Sequence, residues 1–120
     1  MADSSEKVFR LKAEEIVPLA EGRGACFATD MITCEGRKVA FMYREEPDRE
    51  IDSGWRFMSG YESDEYMANP ANLEIYDVNT IANYDPEIIP FLDAPIGSAF
   101  ERADGDGGFV EVHDFDPRAD

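Results

Sequence analysis

Positive charge is scarce in this chain: 11 lysines and arginines stand against 27 aspartates and glutamates, a formal net charge of −16 over 120 residues. Such a field repels nucleic-acid phosphates and anionic lipid headgroups, which argues against direct binding to either. Histidine is almost missing, with His113 the sole example, and no spaced set of Cys and His is available to hold zinc. No glycine-rich loop is followed by a lysine that could cradle a phosphate. No apolar run approaches the roughly 20 residues of a membrane-spanning helix. The opening MADSSEKVFRLK carries charge without the apolar stretch of a secretory signal. The expectation is a soluble cytoplasmic protein with no cofactor, no membrane and no nucleic acid among its partners.

The remaining chemistry is thin. Cys26 and Cys34 have no cationic neighbour or helix start to activate a thiolate, and in a reducing compartment they read as two thiols rather than a bridge. His113 sits in the acidic tail segment 111–116, where a solvated side chain explains it as well as a pH sensor does. Glu45/Glu46, Asp64/Glu65 and Asp104/Asp106 could each be drawn as an acid–base dyad, but 27 acids supply such pairs by chance. The run Asp104-Gly105-Asp106-Gly107-Gly108 begins like a calcium loop and then fails. Its third ligand position falls on Gly108, and Phe109 stands where the loop needs glycine. No enzyme and no metal site is expected.

What the chain does have is a core. With 43% hydrophobic and 12% aromatic residues, a chain of this size buries enough surface to fold without disulfide or metal staples. One domain over 9–112 is expected, with 1–8 and 113–120 frayed. Phe9 to Leu19 reads as a short helix stopped near Pro18. Ala25 to Thr33 and Lys38 to Arg44 read as a β-hairpin turning at Cys34-Glu35-Gly36-Arg37. The second of these strands is apolar on both faces (Val39, Phe41 and Tyr43 against Ala40 and Met42), which makes it central. Further strands are expected at Gly54–Gly60, Leu73–Val78, Ser98–Arg102 and Phe109–Val112. Short helices are expected after Ser63, over Asn79–Tyr84 and from Asp85-Pro86-Glu87. The pattern lacks regular βαβ alternation and predicts an α+β fold with a mainly antiparallel sheet of about five strands.

The acidity is lopsided. Residues 1–43 hold seven acids and six bases, whereas residues 44–120 hold twenty acids and five bases. Solubility alone accounts for part of such a charge. In the second portion, however, Trp55, Tyr61, Tyr66, Tyr76 and Tyr84 are interleaved with Asp52, Glu62, Asp64, Glu65 and Asp77. Large amphipathic rings beside carboxylates are what an anchor for a basic protein requires, because aromatics dominate interface hot spots and carboxylates accept bidentate arginine. With Asn79, Asn83 and Asp85, these residues except Tyr76 form the candidate partner-binding set. A second reading makes Trp55, Asn79, Asn83 and Asp85 the lining of a small-ligand pocket in a stand-alone domain.

The runs GWRFMSGYESDEYM (Gly54 to Met67) and VNTIANYDPEIIPFLDAPIGSAFER (Val78 to Arg102) resemble the bacterial immunity protein 33 domain family. The resemblance rests on Gly54, Trp55, Ser59, Gly60 and Glu62, on Asn79 to Asn83 with Asp85 and Pro86, and on Pro95, Gly97, Ser98, Phe100, Glu101 and Arg102. ACFATDMIT and FMYREEP upstream also look like the family, so it covers roughly Phe9 to Arg102. Met58 and Tyr61 depart from the pattern. The resemblance implies a non-enzymatic α+β protein that binds and silences a cognate bacterial toxin, and it assigns neither catalytic residues nor a mapped interface. Together with the charge, it predicts occlusion of a basic site on the toxin.

Overall fold

The computed structural model describes residues 8–47, 50–102 and 108–112. The aborted calcium-like loop at 104–107, His113 and the terminal segments expected to fray lie, apart from Val8, outside the described residues. Six strands form one sheet: β1 (Ala25–Thr29), β2 (Phe41–Arg44), β3 (Asp52–Met58), β4 (Leu73–Asp77), β5 (Ala99–Arg102) and β6 (Phe109–Glu111). Their order is β4-β1-β3-β2-β5-β6. β1 runs parallel to β3, and the other four neighbouring pairs are antiparallel. The fold is thus α+β with a mixed, mainly antiparallel sheet of six strands rather than five.

The expected hairpin between Ala25–Thr33 and Lys38–Arg44 does not form. β1 stops at Thr29, Asp30–Thr33 coil into helix α1, and β3 lies between β1 and β2. Ile32 and Thr33 are good strand formers, but both are fully buried under the sheet, and side-chain burial overrides that propensity. Gly36 at φ +78° then ends the helix, with the Arg37 amide donating to the Met31 carbonyl at 3.0 Å, as a left-handed glycine cap does. The helix expected over Phe9–Leu19 also shrinks, to one 3-10 turn at Ala13–Glu15.

Strand alternation sorts the sheet into two faces. Cys26, Ala28, Met42, Trp55, Phe57 and Phe100 point to one side, where α3 (Val78–Tyr84) and the 3-10 turns of Pro86–Phe91 cover them with Val78, Ile81, Ala82, Ile88 and Leu92. Trp55 anchors this layer. Its ring stacks on Phe57 with centroids 6.0 Å apart, and its indole N–H donates to the Leu92 carbonyl at 3.2 Å. Gly54 explains its place before the tryptophan: its φ is +91°, and a Cβ there would fall 2.3 Å from the Glu45 carbonyl oxygen on the neighbouring strand. Only glycine meets both conditions.

The opposite face carries Phe27, Phe41, Tyr43, Arg56, Met58, Ile75 and Glu101, by register with the same pairs. The short helix α2 (Asp64–Met67), capped as expected by Ser63 Oγ accepting from the Tyr66 amide at 3.0 Å, borders one end of it.

Candidate partner-binding surface

Tyr61 is 70% exposed, and Asp64 and Glu65 on α2 are exposed beside it. The segment leading to them is held stiffly by Glu62. One carboxylate oxygen accepts from the Thr29 hydroxyl at 2.5 Å and the Ser59 amide at 2.8 Å, and the other accepts from the Gly60 amide at 2.9 Å. Burial works against the Glu62 charge, but the donors from Ser59 and Thr29 outweigh it and hold the carboxyl below its usual pKa. Glu62 is therefore a fastener that presents Tyr61, Asp64 and Glu65. The Tyr61 ring itself lies 4.5 Å from the Arg37 guanidinium carbon, a cation–π contact that limits its freedom. Tyr66 is half-buried, and burial followed by the nearby Asp30, Glu35 and Glu62 charges raises its phenol pKa.

The other candidates from the sequence do not join this surface. Trp55 is 1% exposed and Asp85 2%, so both belong to the interior. Asp85 accepts from the Val39 amide at 3.0 Å, from the Glu87 amide at 3.1 Å and from Arg102 Nη2 at 2.8 Å. Asn79 and Asn83 grip the incoming chain. Asn79 Oδ1 accepts from the Leu19 and Ala20 amides at 2.7 and 2.8 Å, while Asn83 exchanges two bonds with the Val17 backbone at 2.8 and 3.0 Å. The backbone of residues 17–20 thus bonds to side chains of α3, which is why it does not coil into the expected helix. Tyr84 accepts from the Leu11 amide at 3.1 Å. Asp77 is exposed but caps α3 through the Asn79 amide at 2.8 Å. Asp52 forms a two-point pair with Arg56, both bonds 2.9 Å. With their amides and carboxylate engaged inside the chain, Asn79, Asn83 and Asp85 do not line a pocket with Trp55.

A cleft lies elsewhere. On the open sheet face a hollow of about 190 Å³ is walled by Phe27, Tyr43, Met58, Met67 and Leu73, with Arg56 and Glu45 as its charged members. Arg56 bonds Glu45 Oε2 at 2.5 Å as well as Asp52, and its guanidinium carbon sits 4.7 Å from the Phe27 ring centre. Sequence reasoning missed this hollow because it assigned β1 to a hairpin. The doubly apolar pattern of β2 was the available signal, since Phe41 and Tyr43 had to face something other than the core occupied by Met42.

Among the described residues, no three of Cys, His, Asp and Glu lie close enough to hold a metal ion, and no helix is long and apolar enough to cross a membrane. Cys26 and Cys34 are not joined in a disulfide, and Cys26 is buried. Burial, then the Asp77 charge, pushes the Cys26 thiol well up, away from thiolate chemistry.

The chain is a small α+β scaffold with one helix-covered and one open sheet face, and with exposed acids and a tyrosine held on a stiff turn. Residues 26–113 match the Immunity protein Imm33 domain, and the chain belongs to that family. No curated protein and no solved structure matches it. Family membership carries an immunity-protein role in general. The motif residues mostly build the frame: Gly54 permits the strand contact, Trp55 and Phe100 fill the core, Asn79 and Asn83 bind the N-terminal segment, and Asp85 pairs with Arg102.

Proposed function

We propose that the protein acts in the cytoplasm as a non-enzymatic antidote, binding a cognate bacterial toxin one to one and occluding a cationic site on it. The observation that carries this reading is the stiffened segment of Tyr61, Asp64 and Glu65, whose exposed groups are pre-positioned by the three bonds to Glu62. Pre-organised groups bind without a further ordering cost. A net charge of −16 draws a basic partner in and disfavours an acidic one. A nuclease toxin suits that charge, because its phosphate-binding site must be cationic.

The test uses the toxin that this proposal expects to be encoded beside this chain's gene. Stopped-flow association should slow about tenfold or more as salt rises from roughly 50 to 500 mM. The double reversal Asp64→Lys with Glu65→Lys should slow it similarly at low salt and weaken protection of cells expressing the toxin. Salt-independent association that also tolerates the double reversal would overturn the electrostatic occlusion.

A further inference from the structure

We infer that the hollow on the open sheet face receives a single apolar or aromatic side chain carried by a basic segment of the partner. The toxin identity of that partner rests on the function proposed above; the chemistry of the occupant does not.

Three features define the occupant. The walls are apolar and adaptable: Phe27, Tyr43, Met58, Met67 and Leu73 surround the space, and methionines re-pack around an incoming group. A volume of about 190 Å³ is below the roughly 300–1,000 Å³ of clefts that take drug-sized ligands, so one side chain fits better than a small molecule. The charge around it is mostly negative. Among described strand residues on this face, Arg56 is the one cation, and Asp52 and Glu45 already engage its guanidinium, while Glu101 is exposed. An acidic segment would meet mostly like charge. A basic one would meet complementary charge from Glu101 and from Asp64 and Glu65 on α2.

The hollow is also continuous with the acidic surface. Met67, 37% exposed, belongs to the same helix α2 as Asp64 and Glu65. A partner steered to those acids therefore reaches the hollow without a second encounter. The arrangement is that of an apolar anchor pocket with a charged rim, in which the pocket supplies affinity and the rim supplies direction.

The experiment is an NMR titration of the isotope-labelled protein with the peptides Lys-Lys-Phe-Lys-Lys, Lys-Lys-Ser-Lys-Lys and Glu-Glu-Phe-Glu-Glu. The phenylalanine-containing basic peptide should shift the amides of Phe27, Tyr43, Met58 and Leu73 and bind at least tenfold more tightly than the serine peptide, while the acidic peptide should not saturate. Met67→Arg and Leu73→Arg should each remove that preference, and Met67→Leu should retain it; folding of every variant is read from the same spectra. Equal binding of the phenylalanine and serine peptides, or shifts centred on the helix-covered face, would refute the inference. The two proposals fail separately. If the neighbouring toxin is neutralised equally well by wild type and Met67→Arg, the anchor falls and immunity stands. If wild type does not neutralise it but the peptide preference holds, immunity falls and the anchor stands.

Discussion

Replacing Arg102 with leucine is expected to cost about 3–5 kcal/mol of folding stability, the range for breaking a buried ion pair from one side. The Arg102 side chain is fully enclosed, its Nη2 lies 2.8 Å from Asp85 Oδ2, and Asp85 is itself 2% exposed. The same guanidinium donates from Nε to the Val39 carbonyl at 3.1 Å, pairs with Glu87 through Nη1 and lies 4.4 Å from the Phe109 ring centre. Leucine restores part of the packing but leaves a carboxylate in the interior with two backbone amides for company. The Glu87 pair adds little to the cost, because its carboxylate is exposed and water replaces the lost partner. Against the roughly 5–15 kcal/mol that holds a small domain folded, the loss is large. With a urea m-value of about 1–3 kcal/mol/M, the unfolding midpoint should fall by roughly 1–5 M. The added change Asp85→Asn removes the stranded charge while keeping an acceptor for the Val39 amide, so the double variant should be more stable than Arg102→Leu alone. A single variant that loses under about 1 kcal/mol at unchanged m-value, or a double variant no better than the single, would refute a charge-pairing role.

Three further outcomes follow from the same bonds. Asn79→Ala strands the Leu19 and Ala20 amides and should cost about 2–3 kcal/mol, with faster hydrogen exchange at those two amides than in the core strands; unchanged protection there would contradict the clamp. Gly54→Ala forces a side chain into a left-handed φ and against the Glu45 carbonyl, so thermal unfolding should reveal a loss of about 1–3 kcal/mol or more, and a neutral result would contradict the close approach. Glu62→Gln should cost about 1 kcal/mol at neutral pH, a figure taken from hydrogen-bond values and kept low because the group is partly solvated. Because the folded pKa of Glu62 lies below its unfolded value, its contribution is complete above the unfolded pKa of about 4.3 and is lost as pH falls through the folded one. The gap between wild type and Glu62→Gln in urea titrations should therefore narrow under acid, and a gap that widens below about pH 4 would reverse the assignment.

Local chemistry in the sequence determined much of this molecule. Alternation placed Trp55 and Phe57 together on one face of a strand, the doubly apolar β2 had to be interior to the sheet, and Ser63 and Asp85-Pro86 started helical turns where their side chains could accept from the next free amides. The charge, too, is a property of composition. Pairing across the sheet was not local: nothing between Ala25 and Arg44 says that a strand starting at Asp52 will insert between β1 and β2, and Ile32 and Thr33 became helical only because the core needed them buried. Long-range burial also divided the candidate surface. Asn79 and Asp85 look like exposed polar groups in a string of letters, yet each satisfies backbone or charge that folding takes away from water, while Asn83 ties down the Val17 backbone at the surface. The hollow beside Met67 exists only because β1 meets β3 and α2, which follow it at a distance in sequence, on the face that no long helix covers.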